Sequence, residues 1–161
     1  MKTHIIHPIQ PHYDADSRIL ILGSFPSVKS REQMFFYGHP QNRFWKVTAT
    51  VFEDAVPSGI EEKKSFLTRH HIALWDVIGE CDIEGSSDLS ISNAAANDIS
   101  LILRSAGIRR IFVNGKTAEK YYRKYILPAT GIEAVCLPST SPANAAWSLE
   151  KLEEAWSEIV R

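Results

Sequence analysis

Short, uniformly apolar runs alternate along this chain with segments whose apolar residues recur at helical spacing. The apolar runs are typical of strands buried on both faces, as in a parallel sheet. The segments between them carry helix-capping residues such as Ser58, Asn97 and Ser148 at their starts. The pattern predicts four strands at residues 19–22, 72–78, 109–115 and 132–137, and helices at 44–52, 58–69, 97–107, 116–126 and 148–159.

This alternation predicts an α/β fold. Strand–helix–strand units form right-handed crossovers, so the expected architecture is a three-layer α/β/α arrangement around a central four-stranded parallel sheet. Residues 1–161 are expected to form a single domain, with residues 1–17 as an irregular N-terminal arm because Pro8 and Pro11 interrupt it. Three histidines of this arm, His4, His7 and His12, are interpreted as solvated, since no carboxylate or cysteine completes a metal-ligand spacing.

The composition mainly excludes several classes of protein and of metal site. A net charge of −1 over 161 residues argues against non-specific coating of nucleic acid. The two cysteines, Cys81 and Cys136, provide neither a disulfide framework nor a four-thiolate metal site. The start of the sequence lacks signal-peptide features, and no apolar run approaches membrane-spanning length. A cytoplasmic monomer without metal or cofactor is expected.

Polar residues follow several of the predicted strands, where parallel sheets bind ligands. These residues are the loop 24–42, Asp76, Asn114 and the loop 139–144. The loops contain no phosphate-binding glycine motif, no nucleophile elbow and no metalloprotease histidine pair. A serine hydrolase is an alternative function that these absences do not exclude. Aromatic, amide and hydroxyl groups with nearby basic residues suit a nucleobase on a sugar-phosphate chain.

Two segments carry a family resemblance. Gly-Ser-Phe-Pro-Ser at 23–27, followed by Tyr-Gly-His-Pro-Gln-Asn-Arg-Phe-Trp-Lys-Val at 37–47, resembles the first motif region of the uracil-DNA glycosylase superfamily. Leu-Pro-Ser-Thr-Ser-Pro-Ala-Asn at 137–144 falls where that superfamily has its DNA-inserting loop. Together with Leu-Trp-Asp-Val-Ile at 74–78, it is most similar to the hypoxanthine-DNA glycosylase (DNA-deoxyinosine glycosylase) branch.

The resemblance implies a uracil-DNA glycosylase-like fold and a monofunctional glycosylase. Such an enzyme flips a deaminated base, hypoxanthine or possibly uracil, out of double-stranded DNA and hydrolyses its N-glycosidic bond in base-excision repair. Two positions depart from the wider superfamily. Phe25 stands where most members have Asn or Asp, and Leu137 stands where many have His or Asn. In the hypoxanthine branch the catalytic amide falls at the position of Asn42.

The resemblance also assigns the site residues. Asn42 is the expected catalytic residue, and the expected base-binding residues are Gly23, Ser24, Phe25, Tyr37, Asp76 and Asn114. The expected DNA-binding residues are Pro26, Ser27, Lys29, Arg43, Ser139, Thr140, Ser141, Pro142, Ala143 and Asn144.

Several assignments have structural alternatives. Asn42 is also placed to cap a helix, Tyr37 to fill the core, and Asp76 and Asn114 to satisfy strand ends or turns. His39 is either a general acid or a structural residue before Pro40. At the level of function, the competing hypotheses are a non-catalytic nucleic-acid-binding domain on the same fold, suggested by Phe25, and a small-nucleotide-binding α/β protein.

Overall fold

Seven strands form two sheets in the computed structural model, which describes residues 1–161. The strands are β1 (Thr3–Ile6), β2 (Ile19–Gly23), β3 (Ile72–Asp76), β4 (Ile78–Ile83), β5 (Ser92–Ala96), β6 (Arg110–Asn114) and β7 (Val135–Leu137). The central sheet has four strands in the order β3-β2-β6-β7, and all three neighbouring pairs are parallel. Leu20, Ile21 and Leu22 are consecutive and fully buried, so both faces of this sheet are covered. The predicted α/β fold with its parallel sheet is confirmed.

Seven α-helices accompany the sheets. The helices are α1 (Val28–Gln33), α2 (Phe44–Val51), α3 (Gly59–Arg69), α4 (Ser100–Ser105), α5 (Lys116–Tyr121), α6 (Leu127–Thr130) and α7 (Leu149–Trp156). Helix α3 packs against β3, α5 packs against β6 and β7, and α2 packs against α7. A π-helical turn joins α5 to α6, and 3₁₀ turns occur at Asp88–Ser90 and Ser157–Val160. No helix has both the length and the apolar character needed to cross a membrane.

The N-terminal residues correct one prediction. Residues 1–17 are not wholly irregular, because β1 is the edge of a second, antiparallel sheet ordered β1-β4-β5. The His4 ring contacts Asp82 Oδ1 at 2.8 Å and Glu80 Oε2 at 2.9 Å. Hydrogen bonds to Asp82 and Glu80 raise the pKa of His4. The prolines follow the strand and do not prevent it.

Helix capping follows the sequence only in part. The Ser148 hydroxyl accepts a hydrogen bond from the Lys151 N–H at 3.2 Å, as its position predicts. Ser58 directly precedes α3 but makes no side-chain capping bond, so its predicted capping role is wrong. Asp98 accepts from the Ser100 N–H at 3.0 Å. The cap positions therefore mark the helix starts closely, but they do not by themselves determine which side chain makes the bond.

Ile21 offers a test of how much the central strand contributes to stability. Ile21→Ala empties a fully buried site and is expected to lower the free energy of unfolding by about 2–5 kcal/mol. Val135→Ala, on the edge strand at 38% exposure, is the matched control and should cost less than about 1 kcal/mol. Urea unfolding measures both values, and equal losses would contradict this description of the core.

Candidate functional site

A cleft of about 430 Å³ opens at the carboxyl ends of the parallel strands. Its walls are the segment after β2, the loop between β4 and β5, and the loop after β7. Asp76 and Asn114, the last residues of β3 and β6, lie between these walls. The parallel topology therefore brings separate chain segments to one site.

The cleft brings together most of the residues that the sequence singled out. It is lined by Gly23, Ser24, Phe25, Tyr37, Asn42, Asp76 and Asn114, and by Pro26, Ser27, Ser139, Thr140, Ser141, Pro142 and Ala143. Lys29, Arg43 and Asn144 do not line it. Lys29 is exposed on α1, where its Nζ lies 3.7 Å from Glu32 Oε1.

Asn42 is half-buried at the start of α2. Its Oδ1 accepts a hydrogen bond from the Phe44 N–H at 2.9 Å, so the amide does cap the helix. Its Nδ2 makes no hydrogen bond within the protein, and the residue lines the cleft. Capping fixes the amide plane but leaves the second lone pair of Oδ1 and both N–H groups of Nδ2 for a ligand or a water.

The loop after β7 is held by residues that were expected to contact DNA. The Arg43 guanidinium donates to the carbonyl oxygens of Asn144 and Trp147. Asn144 Nδ2 donates to the Ser139 carbonyl at 2.9 Å. Arg43 and Asn144 therefore brace this loop, and their contacts with DNA stay a prediction.

Asn114 and Thr140 form a reciprocal pair. Asn114 Nδ2 donates to Thr140 Oγ1 at 3.0 Å, and the Thr140 N–H donates to Asn114 Oδ1 at 3.1 Å. Thr140 is fully buried, and both its hydroxyl and its backbone N–H are engaged by Asn114. The pair ties the end of β6 to the loop after β7.

Tyr37 adopts a left-handed backbone conformation, with φ of 52°. Its ring stacks on Phe44, with 4.1 Å between ring centroids and 15° between planes. One ring face is therefore already covered by the protein. The hydroxyl is buried without a hydrogen-bond partner. Burial, and then the negative charge of Asp76, hold the pKa of this hydroxyl well above its usual range, whereas Asn114 acts in the opposite direction.

His7 is a part of the site that the sequence interpretation missed. The expected solvated position is wrong, because the His7 side chain is 2% exposed and its Nε2 lies 2.7 Å from Asp76 Oδ2. Phe25 and Trp75 enclose the ring edge-to-face, with centroids 5.7 and 6.2 Å away. A histidine in a proline-containing segment gives no sequence signal for this contact, which depends on the pairing of β1 with β4.

The loop between β4 and β5 contributes Asp88, a second site residue that the sequence analysis does not predict. Ser24 Oγ donates to the Asp88 carboxylate, 3.0 Å from Oδ1. Partial desolvation of the carboxyl in the cleft, together with the charge of Asp76, raises the pKa of Asp88, and the bond from Ser24 lowers it. Leu89 follows at the rim and is 97% exposed. The sequence gives no signal that this loop returns to the cleft.

Comparisons with known proteins agree on a family. The model of the uracil DNA glycosylase superfamily matches residues 10–160. The chain is 35% identical over 150 residues to a protein named hypoxanthine DNA glycosylase from Methanosarcina acetivorans, covering 92% of this chain and 93% of the relative. A protein of the same name from Methanosarcina barkeri is 34% identical over 153 residues, covering 94% and 95%.

A solved structure extends this likeness to the fold. It is a solution NMR structure from Methanosarcina acetivorans, named as a candidate uracil DNA glycosylase. It superimposes with a TM-score of 0.79 at 31% sequence identity, and covers 98% of this chain and 100% of the other.

Gly23 provides a test of the packing in the cleft. A Cβ at this position would lie 2.4 Å from Asp76 Oδ1 and 3.0 Å from the Tyr37 hydroxyl oxygen. Gly23→Ala must displace the carboxylate, and is expected to lower the free energy of unfolding by about 1–3 kcal/mol. Gly107→Ala has open space around the new Cβ and should change stability by less than about 1 kcal/mol. Thermal unfolding compares the two variants, and an undisturbed Gly23→Ala would contradict this geometry.

Proposed function

The chain belongs to the uracil DNA glycosylase superfamily, and we propose that it removes hypoxanthine, and secondarily uracil, from double-stranded DNA. The reaction is hydrolysis of the N-glycosidic bond, the first step of base-excision repair. One observation carries the proposal: Asn42, Asp76 and Tyr37 converge on a single cleft in a chain that aligns almost end to end with two proteins named hypoxanthine DNA glycosylase. We also propose that the chain acts as a single domain and as a monomer.

The target base must leave the duplex to enter this cleft. Extrusion costs a few kcal/mol, and less for a base that is already mispaired. Phe25 forms one wall of the cleft, and Tyr37, whose other ring face is covered by Phe44, forms another. Ser24 lines the cleft, where its hydroxyl donates to Asp88, and we assign it to the edge of the base. Asn114 contributes by holding the loop at 139–143 in place.

Bond cleavage passes through an oxocarbenium-like state, as in sugar hydrolysis. The side chains of Phe25 and Leu137 have no polar group, so Phe25 does not position water and Leu137 does not stabilise the departing base. Two amides line the cleft, and Thr140 engages that of Asn114, so Asn42 supplies the amide with free hydrogen-bonding groups. Its oxygen accepts a hydrogen bond from water but is not a strong base, so we assign it positioning of the attacking water.

The DNA contacts proposed for this chain are small and local, in keeping with a net charge of −1. Pro26, Ser27 and the loop at 139–143 face the cleft and are assigned to the DNA backbone. Leu89 also lines the cleft and is 97% exposed, and we assign it the space that the extruded base leaves in the stack. Apolar wedges of this kind stabilise unstacked DNA. Affinity should fall as salt concentration rises.

The alternative function is a non-catalytic nucleic-acid-binding domain. The presence of Phe25 at the usual position of the first-motif Asn or Asp favours it. The two functions differ in one respect: the binding domain recognises a lesion duplex but releases no free base.

Asn42 is the sharpest test of the proposed reaction. Asn42→Ala removes the oxygen that positions water, and is expected to slow single-turnover release of hypoxanthine by about 100-fold or more. Asn42→Asp keeps an acceptor oxygen and should retain most of the activity. Full activity of a folded Asn42→Ala variant would contradict the assignment.

Two controls separate water positioning from helix capping. Asn42→Ser retains a capping side chain but is too short to reach the same water, so it should be stable and slow. Ser148→Ala removes the cap of α7, a residue outside the cleft, at a cost of about 1 kcal/mol, and should leave the rate unchanged. Normal activity of Asn42→Ser would assign Asn42 to capping alone.

Leu89 is expected to matter only for duplex substrates. Leu89→Ala should weaken base release from a paired lesion by about tenfold, because the vacated stack is no longer filled. Release from the same lesion in single-stranded DNA should change little. Val56→Ala, another exposed apolar residue that does not line the cleft, is the matched control. Equal losses on both DNA forms would contradict a wedge role.

A further inference from the structure

We propose that His7 is a positioning residue that fixes Asp76 as a hydrogen-bond acceptor for the ring N–H of a deaminated base. This inference rests on the proposed function, and it assigns a recognition role to a histidine outside the motifs. The ring N–H in question is N1–H in hypoxanthine and N3–H in uracil. Adenine and cytosine, from which these bases arise, have an unprotonated acceptor nitrogen at that position.

The hydrogen bonds of His7 determine its tautomer. The Ile9 N–H donates to His7 Nδ1 at 3.2 Å, so Nδ1 carries no proton. Nε2 must therefore be the protonated nitrogen, and it donates to Asp76 Oδ2 at 2.7 Å. Protonation of both nitrogens would place the Nδ1–H against the Ile9 N–H. In this arrangement the Nε2–H of His7 is the donor and the Asp76 carboxylate is the acceptor.

The surroundings of His7 keep the ring in this orientation. Phe25 and Trp75 meet it edge-to-face, and Phe36 lies at a centroid distance of 6.5 Å. The His7 backbone N–H donates to the Gly79 carbonyl at 2.8 Å, which ties the residue to β4. A ring flip would break the bonds to Ile9 and Asp76 together. The histidine is thus a fixed donor behind the cleft.

The other oxygen of Asp76, Oδ1, has no hydrogen-bond partner in the protein. Asp76 is only 4% exposed, and it lines the cleft. It lies 2.4 Å from the ideal Cβ position of Gly23, where the absence of a side chain leaves room beside it. Oδ2 therefore accepts the hydrogen bond from His7, and Oδ1 is the oxygen left to accept one from the base.

An ionised carboxylate oxygen only accepts hydrogen bonds. It attracts a ring N–H and repels the lone pair of an unprotonated ring nitrogen. Sites that pair a buried polar group with a substrate group discriminate strongly against analogues lacking that group. Asp76 therefore favours the deaminated base over its parent. Guanine and thymine also carry the ring N–H, so this contact does not exclude them.

The experiment compares two bases in the same duplex. Hypoxanthine has the N1–H, and unsubstituted purine has an unprotonated N1 in the same ring system. The ratio of their single-turnover release rates is measured for the wild type, Asp76→Asn, His7→Leu and His7→Gln. In Asp76→Asn the His7 donor should hold the amide oxygen, which turns the amide N–H₂ toward the base and mismatches the ring N–H.

The expected ratio for the wild type is about tenfold or more in favour of hypoxanthine, the scale of one hydrogen bond to a charged group. Asp76→Asn and His7→Leu should bring this ratio close to one. His7→Gln retains a side-chain N–H donor and should restore much of it. Rates that fall equally for both bases, with the ratio unchanged, would show a merely structural role and overturn the inference.

A spectroscopic measurement covers the case in which His7→Leu does not fold. The imidazole ¹⁵N spectrum of the wild type should show a protonated Nε2 and an unprotonated Nδ1 for His7, and a protonated Nδ1 would overturn the inference. If the wild type releases no hypoxanthine at all, the proposed function itself fails. Release with an unchanged ratio instead leaves that function standing and rejects only the role of His7 and Asp76.

Discussion

The pairing of Gly23 with Asp76 at the carboxyl ends of β2 and β3 is the constraint on which the site depends. A residue without a side chain is required beside the carboxylate, since a Cβ at Gly23 would lie 2.4 Å from Oδ1. Beyond this pair two more backbone hydrogen bonds join the segments: the Val77 N–H donates to the Gly23 carbonyl at 2.8 Å, and the Ile78 N–H donates to the Ser24 carbonyl at 3.1 Å. The cleft begins where the ladder ends, so the sheet register determines which side chains face the ligand.

The antiparallel sheet covers part of the core and also positions residues of the cleft. Strand β1 pairs with β4 and ends at Ile6, so that His7 enters behind Asp76. Strands β4 and β5 hold the loop that carries Asp88 and Leu89 to the rim. One small sheet therefore leads to the His7 contact with Asp76 and also carries the loop that brings Asp88 and Leu89 to the cleft.

Much of this architecture follows from the sequence. Buried apolar runs indicate the parallel strands, and parallel strands bring their exits together, so the sequence alone groups the cleft residues from Gly23 to Asn114. The sequence pattern does not predict that His7 and Asp88 lie at the cleft. Their positions depend on strand pairing and on a loop that folds back from a distant part of the chain. Residue type assigns Arg43 and Thr140 to DNA, whereas their hydrogen bonds brace the loop after β7. Residue type indicates what a side chain can bind, and packing decides which partner it meets.

We propose that this cleft hydrolyses the glycosidic bond of a deaminated base and that an amide positions the attacking water. Mass spectrometry can quantify the free base released from duplexes that contain hypoxanthine, uracil or only undamaged bases. Free hypoxanthine is expected in the largest yield, less uracil, and none from undamaged DNA. Binding of the lesion duplexes without release of any free base would contradict this proposal.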